Sequence, residues 1–152
     1  MSLFSKKEGA SRKTSYERRS KETQIEMPLL NVDGTGETTI STTIGFLDHM
    51  LTLFAFHGYF DINMSAKGDT QVDKHHLNED IGIALGEAFK KALGDFKGIA
   101  RTASAEVPMD MARAKVLIDL SNRDAFSFTE KTSSGYPVSD DKEGYSVELA
   151  KD

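Results

Sequence analysis

The sequence of 152 residues contains no cysteine and no long apolar run. Without cysteine it can form neither a disulfide scaffold nor a thiolate metal site, and it has no cysteine nucleophile. The longest nearly apolar stretch, residues 50–56, is far shorter than the roughly 20 residues of a membrane-spanning helix. The N-terminus also lacks the apolar segment of a secretory signal. We therefore expect a globular, cytoplasmic protein of one domain.

Positive charge is concentrated near the N-terminus, although the net charge of the whole chain is −5. Residues 1–21 carry seven basic and two acidic side chains, so their net charge is +5 and that of the other 131 residues is −10. Such a segment can bind nucleic acid, but no recognised nucleic-acid-binding module accompanies it. We predict that this segment is solvated, that residues 1–11 form a flexible arm, and that neither nucleic acid nor a membrane is a partner.

The spacing of apolar residues predicts strands and helices in mixed order. The turn at 33–36, with two glycines, is typical of a turn that needs positive φ, and Gly58 and Gly94 are expected to end the two helices. Asn78 is expected to cap the second helix. The predicted strands are 22–30, 37–43, 59–66, 101–107, 114–120 and 125–129, the predicted helices are 46–56 and 78–93, and a loop at 132–144 precedes a further helix at 145–152. This order is typical of an α+β fold with helices packed on a mixed sheet.

All four histidines lie within 28 residues, and two of them, His75 and His76, are adjacent at the start of the second predicted helix. His75 and Glu79 are separated by four positions, so an imidazole and a carboxylate on one helix face could bind the same divalent cation. His76 is rotated by about 100° from His75, and this favours two metal ions over one. The same pattern is also typical of exposed surface residues or of an N-terminal cap, so both interpretations stay open.

The other charged residues near these histidines have simpler interpretations. Asp48 could orient the ring of His49 beside it. His57, at the end of the first predicted helix, is typical of a residue that interacts with the helix dipole. Glu79 and Asp80 place negative charge at the positive end of the second helix.

Several motifs follow one another at fixed spacing: Lys-Glu-Thr at 21–23, Asp-Gly-Thr-Gly at 33–36, Phe-Leu-Asp-His-Met-Leu at 46–51, His-His-x-x-Glu-Asp at 75–80 and Pro-Met-Asp at 108–110. In this order the sequence resembles the imidazoleglycerol-phosphate dehydratase family, from about residue 12 to residue 149. The resemblance implies a manganese-dependent lyase of histidine biosynthesis. It would remove water from imidazole glycerol phosphate to give imidazole acetol phosphate, with two Mn²⁺ ions at the substrate's imidazole ring.

The resemblance also implies roles for individual residues. Glu22 matches the acid/base carboxylate of the family, and Arg101 and Arg123 match arginines that bind the substrate phosphate. Four residues match the metal ligands, in two pairs: His75 with Glu79, and His49 with His76.

The fold implied by the resemblance is a duplicated half-domain, each half a small mixed sheet with two helices on one face. Residues 12–95 would form the first half, and residues 96–152 would form an incomplete second half. The sequence contains no second His-His-x-x-Glu motif. Each metal ion would then have two protein ligands rather than about four. The family also implies a homo-oligomer with active sites between subunits.

Three functions therefore stay open. The first is the lyase of this family, and the second is a non-catalytic relative that acts as a structural or regulatory subunit. Departures from the family pattern, such as Thr43 in place of Gly, Lys74 beside the ligands and Met111 in place of Glu, favour the second. An unrelated metal-dependent hydrolase is disfavoured because no separate nucleophile or water-activating base is evident.

Overall fold

A four-stranded sheet, two helices and a two-stranded sheet make up the structure, a computed structural model that describes residues 12–110 and 112–129. The strands are β1 (Lys13–Arg19), β2 (Thr23–Asn31), β3 (Thr38–Ser41), β4 (Asp61–Gly68), β5 (Thr102–Met109) and β6 (Ala112–Asp119), and the helices are α1 (Gly45–Gly58) and α2 (His75–Leu93). The larger sheet has the order β1-β2-β4-β3, with β3 parallel to β4 and the other pairs antiparallel. These elements confirm the predicted α+β class.

The hydrophobic core lies between one face of the larger sheet and both helices. Alternate residues of β2 and β4 point into it, because successive side chains of a strand face opposite sides. Helix α2 packs on β1, β2 and β4, whereas α1 packs on β3 and β4. The most deeply buried large side chains include Ile25, Met27, Leu30, Ile62, Met64, Leu77 and Ile81. The small mixed sheet therefore has two helices on one face, as predicted.

Three phenylalanines join the two helices at one end of the core. The ring of Phe60, just before β4, lies 5.2 Å from that of Phe54 in α1 and 5.0 Å from that of Phe89 in α2. Phe54 and Phe89 meet edge to face at 6.0 Å. Such ring pairs stabilise packing beyond the area they bury, so they fix α1 against α2.

Residues 12–21 of the basic segment are part of the fold, which corrects the prediction that this segment is solvated. They include β1, an edge strand that was not predicted. Arg12 is only 7% exposed and donates from Nε to Asp33 Oδ2 at 2.9 Å. Arg18 donates from Nε to Asp80 Oδ1 at 2.7 Å. These charges are therefore neutralised by carboxylates of the fold, while the predicted arm at 1–11 lies outside the described residues.

The turn at 33–36 connects β2 to β3, as predicted, but its two glycines are needed for different reasons. Strands β2 and β3 are both present, but β4 lies between them in the sheet. Gly36 has the expected positive φ of 94°, and Gly34 does not. A Cβ at Gly34 would lie 2.5 Å from Oδ1 and from the backbone N of Asp61, so this glycine permits a close approach of two segments.

The helix ends are partly as predicted. Gly94, with φ of 65°, ends α2, but the left-handed residue after α1 is Tyr59 rather than Gly58. Helix α2 begins at His75, three residues before the predicted start, because Asp73 Oδ1 accepts the N–H of His75 at 2.8 Å. Asn78 is therefore not the cap. Its Oδ1 is buried, and no hydrogen bond to it occurs in the described part of the chain.

The C-terminal part of the description is the β5–β6 ribbon and a short irregular segment. The strand predicted at 125–129 is wrong, since these residues form no regular structure. The predicted loop at 132–144 and helix at 145–152, and also Met111, lie outside the described residues. Neither α1 nor α2 is long and apolar enough to cross a membrane.

Candidate metal and acid/base site at the start of helix α2

The first turn of α2 presents an imidazole and a carboxylate on one face. His75 Nε2 lies 3.6 Å from Glu79 Oε2, and both side chains are about half exposed, at 47% and 51%. Two metal–ligand bonds of about 2.1 Å at octahedral or tetrahedral angles hold their ligand atoms about 3.0–3.4 Å apart. A small rotamer adjustment would therefore let one ion bind both atoms, so this pair fits a divalent cation.

His76 faces a different carboxylate. Its Nδ1 lies 3.1 Å from each carboxylate oxygen of Asp69, the residue that follows β4. This hydrogen bond raises the pKa of His76, and the negative charges of Asp69, Asp73 and Glu22 raise it further. The rings of His75 and His76 meet edge to face at 5.9 Å. The two histidines therefore face different carboxylates, Glu79 and Asp69. This is expected, because adjacent side chains on a helix point in different directions.

Glu22 lies in the turn between β1 and β2, directly beside Asp69. The backbone N–H of Asp69 donates to the carbonyl of Glu22 at 3.2 Å. Ser20 Oγ accepts the N–H of Glu22 at 3.2 Å and lies 3.5 Å from its Oε2. The sequence pattern predicted a strand from residue 22, whereas β2 begins at Thr23. Glu22 is therefore an exposed turn residue, and the negative charge of its carboxylate helps to raise the pKa of His76.

A buried carboxylate fastens this turn to α2. Asp80 Oδ1 accepts from Arg18, and its Oδ2 accepts from the hydroxyls of Ser20, at 3.2 Å, and Thr23. Burial alone would raise the pKa of Asp80, but the hydrogen bonds from Thr23 and Arg18 lower it. Asp80 was expected to act only on the helix dipole. Instead it lies one helical turn after His76 and connects α2 to the turn that carries Glu22.

His49 belongs to α1 and is exposed. Asp48 was expected to orient its ring, and that expectation is wrong. The carboxylate of Asp48 accepts the backbone N–H of Thr42 at 2.7 Å and its hydroxyl at 2.6 Å, which fixes the start of α1. His57 packs edge to face on Phe56 in the last turn of the helix. Within residues 12–110 and 112–129, no three His, Asp or Glu side chains are arranged as a metal site.

Arg101 and Arg123 form a second group at the open end of the β5–β6 ribbon. Arg101 binds Asp119 through two hydrogen bonds, Nε–Oδ1 at 2.6 Å and Nη2–Oδ2 at 3.0 Å. These contacts lower the pKa of Asp119, and the charge of Arg123 adds to the effect. A phosphate at Arg101 must therefore compete with Asp119 or use the remaining guanidinium N–H groups.

The sequence did not lead us to predict the contacts of two residues of this site, Asp69 and Asp80. Asp69 occurs in a Gly-Asp pair between a strand and a turn, and no periodicity connects it to His76. The sequence did contain an indication for Asp80. It lies on the same helix face as the buried apolar residues Leu77 and Ala84, one turn from each, and an acid at such a position needs a partner for its buried charge. Its partner Arg18 lies 62 positions away, where the sequence pattern indicates only a basic segment.

Comparison with known proteins identifies the family of the chain. Residues 42–151 match the family model described as imidazoleglycerol-phosphate dehydratase. The chain belongs to this family. It is 57% identical over 115 residues to the imidazoleglycerol-phosphate dehydratase of Clostridioides difficile, covering 76% of this chain and 59% of the relative. To the enzyme of Geobacillus kaustophilus it is 54% identical over 117 residues, covering 77% and 60%. The chain therefore spans about 60% of the length of these imidazoleglycerol-phosphate dehydratases.

Solved structures of the family agree with the fold. The crystal structure of imidazoleglycerol-phosphate dehydratase from Pyrococcus furiosus in complex with (S)-C348 aligns with a TM-score of 0.65 and 34% identity, covering 89% of this chain and 68% of that one. The enzyme of Staphylococcus aureus aligns with a TM-score of 0.57 and 33% identity, covering 80% and 69%. The family resemblance drawn from the ordered motifs is thus confirmed.

Proposed function

We propose that this protein is a hydro-lyase that dehydrates imidazole glycerol phosphate to imidazole acetol phosphate in histidine biosynthesis. One observation carries the proposal. In a member of the dehydratase family, the His75–Glu79 pair, His76 and the exposed carboxylate of Glu22 form one group at the start of α2. A reaction that removes a proton and then hydroxide from a carbon chain needs an acid/base group beside a group that stabilises negative charge.

Glu22 is the acid/base residue in this proposal. It would take the proton from the substrate carbon and return it to the departing hydroxyl. Its turn is bound at both flanks, through Ser20 and Thr23, to the buried Asp80. The backbone at Glu22 is therefore fixed, and this lowers the entropic cost of aligning the Glu22 carboxylate with the substrate. Arg101 and Arg123 would bind the phosphate, since a guanidinium donates two parallel hydrogen bonds to a phosphate.

Two Mn²⁺ ions are the proposed cofactors. His75 and Glu79 would hold one ion and His49 and His76 the other, and imidazole nitrogen with carboxylate oxygen is a donor set that suits Mn²⁺, although Zn²⁺ would bind it more tightly in vitro. When bound, an ion supplies Lewis acidity to the substrate's imidazole and makes loss of the carbon-bound proton accessible. His76 already has Asp69 on its Nδ1, which leaves Nε2 as its ligand atom.

A non-catalytic structural or regulatory subunit is the second candidate function. It is supported by one observation, namely that His, Asp and Glu side chains of the described residues come together in pairs and form no group of three. Divalent transition metals in proteins take four or more ligands, so a two-donor site binds weakly.

A homo-oligomer in the cytoplasm is also part of the proposal. Helix α1 exposes large apolar side chains, among them Phe46, Phe54 and Phe56. Large apolar side chains that one chain leaves exposed can be covered by a subunit contact. Light scattering of the purified chain is expected to give a mass at least twice the 16.8 kDa of one chain, and a monomer at high concentration would contradict this part of the proposal.

The enzymatic proposal is tested by a turnover assay with imidazole glycerol phosphate and Mn²⁺. The Glu22→Gln variant is expected to lose about 100-fold or more of the turnover of the parent, because general acid–base catalysis contributes on this scale. Glu26→Gln is the matched control, since Glu26 is a partly exposed acid of β2 that binds Arg19 and faces away from the site. A parent that binds Mn²⁺ but shows no turnover would support the non-catalytic subunit instead.

A further inference from the structure

Asp69 is held at both sides of its backbone. Its N–H donates to the carbonyl of Glu22 at 3.2 Å, and its own carbonyl accepts the N–H of Val72 at 2.7 Å. Its side chain is 21% exposed and lies against His76, which is 38% exposed. The backbone at Asp69 is therefore fixed, and its carboxylate lies where the turn after β4 contacts the turn that carries Glu22.

The contact with His76 determines where the proton of the neutral imidazole lies. Both oxygens of Asp69 are 3.1 Å from Nδ1 of His76. An ionised carboxylate only accepts hydrogen bonds, so Nδ1 must be the donor. In water a neutral histidine side chain prefers to carry its proton on Nε2. The contact with Asp69 reverses this preference and leaves the lone pair of Nε2 free.

His75 provides the contrast within the same helical turn. It is Nε2 of His75 that faces a carboxylate, that of Glu79, at 3.6 Å. Asp73, a further acid near His76, accepts the backbone N–H of His75 through its Oδ1. Thus only Asp69, among the carboxylates described near this turn, contacts a ring nitrogen of His76 in the geometry that fixes a tautomer.

We infer that Asp69 is a positioning residue that holds His76 in the tautomer with Nδ1 protonated and Nε2 unprotonated. The use of that Nε2 for a metal ion rests on the function proposed above. Carboxylates that bind the distal nitrogen of a metal-binding histidine orient its ring and raise its basicity. The backbone hydrogen bond to Glu22 makes the same residue set the position of the proposed acid/base turn relative to His76.

The test is a long-range ¹H–¹⁵N correlation spectrum of the chain labelled on histidine nitrogens, recorded without metal at a pH where the rings are neutral. Single substitutions of the other histidines assign the signals of His76. The parent is expected to show Nδ1 protonated, Asp69→Ala to revert mainly to Nε2–H, and Asp69→Asn to give an intermediate pattern because an amide oxygen is a weaker acceptor. Asp73→Asn removes the same charge nearby and is expected to leave the tautomer unchanged.

Three results would overturn the inference: an Nε2–H tautomer in the parent, an unchanged tautomer in Asp69→Ala, or an equal change in Asp73→Asn. Calorimetric titration with Mn²⁺ separates this inference from the proposed function. Asp69→Ala is expected to bind Mn²⁺ about 10–100-fold more weakly than the parent. If the parent shows the expected tautomer but binds no Mn²⁺, the metal-dependent function fails while the positioning of His76 by Asp69 stands.

Discussion

Asp80 in α2 and Arg18 in β1 form an ion pair across 62 positions of sequence, with Nε and Nη2 of the guanidinium 2.7 Å and 2.6 Å from one carboxylate oxygen. The side chain of Asp80 is 11% exposed and that of Arg18 is 33% exposed. The other oxygen of Asp80 binds hydroxyls on both flanks of the turn that carries Glu22. Stability and site geometry therefore depend on the same carboxylate.

Asp80→Asn is expected to lower the free energy of unfolding by about 2 kcal/mol. The change leaves a partly buried guanidinium without its counter-charge, and such losses exceed those of exposed pairs. Urea unfolding measures the effect. Glu26→Gln removes a partner of Arg19 in an ion pair that is more exposed than the Asp80–Arg18 pair, and serves as the control, with an expected change below about 0.5 kcal/mol. A loss in Asp80→Asn as small as that expected for the control would show that the Asp80 network does not stabilise the fold.

Stability is expected to fall with pH in the acid range. The pKa of Asp80 is lowered despite its burial by hydrogen bonds from Thr23 and Arg18, and that of Asp61 by the backbone N–H groups of Thr35, Gly36 and Glu37 and by Asn31. In the unfolded chain both aspartates titrate near about 3.9, so below this pH the unfolded state binds more protons than the folded one.

The stability that these two carboxylates contribute is therefore present above about pH 4 and is lost as the pH falls through their lower folded pKa values. Urea unfolding from about pH 5 to about pH 2 measures the decline. Asp80→Asn is expected to show a shallower decline than the parent, since one of the two groups no longer titrates. A decline of the same slope in both proteins would mean that other carboxylates cause the acid sensitivity.

Thr43→Gly is expected to stabilise the protein by about 1 kcal/mol. Thr43 has φ of 67° in the connection between β3 and α1, and a β-branched residue in this left-handed region is strained by about 1–3 kcal/mol. Glycine relieves the strain and loses part of the gain through its greater freedom in the unfolded chain. Thr39→Gly, at an exposed position of β3 with ordinary φ, is the control and is expected to destabilise. Thermal unfolding of both variants decides the sign.

Gly34→Ala is expected to destabilise by about 2 kcal/mol or more. The new Cβ would overlap the carboxylate and backbone of Asp61, and that carboxylate binds the N–H groups that order the turn. Gly86→Ala is the matched control in α2, since its Cβ meets nothing within 4 Å. There the substitution is expected to stabilise by about 0.5–1 kcal/mol, because alanine favours a helix interior. A tolerated Gly34→Ala would contradict the close approach to Asp61.

Mn²⁺ affinity is expected to respond to three residues at the start of α2. His75→Ala and Glu79→Ala each remove one ligand of the proposed pair and should abolish Mn²⁺ binding at that site. His57→Ala, in the last turn of α1, should leave binding unchanged. Lys74→Asp replaces a nearby positive charge by a negative one and should tighten binding severalfold, or about 1 kcal/mol after screening. Calorimetry on these variants, with Lys97→Asp as the distant charge control, measures each effect. Undiminished binding in His75→Ala would remove the metal site.

The parts of the fold that could be predicted are those in which the signal is local. The stripe of apolar residues in α2 repeats at helical spacing, and the His75–Glu79 pair follows from the same period. Strand β1 could not be predicted in this way, because its residues are almost all polar or basic and only Tyr16 contributes an apolar side chain. It is held at the sheet edge by its pairing with β2 and by the ion pair of Arg18 with Asp80.

The residues of the candidate site also divide into those with a local sequence signal and those without one. Glu22 and the histidines were found through the ordered motifs, which are short and contiguous. The contact of Asp69 with His76 joins a turn to a helix without any repeating spacing, and so no sequence period indicates it. The expected partner of His49, Asp48, is bound by Thr42 instead, since a buried backbone N–H needs an acceptor.

The β5–β6 ribbon has a consequence for amide hydrogen exchange. Every described residue of the two strands is exposed except Ala103, and Leu117 is 73% exposed. A two-stranded ribbon with little packing opens by local fluctuations, whereas β2, which has a strand on each side and a helix on its face, is expected to exchange far more slowly. Deuterium uptake should therefore divide the chain near residue 100, with fast exchange in the ribbon that carries Asp119 and slow exchange in the sheet that supports Glu22 and His76.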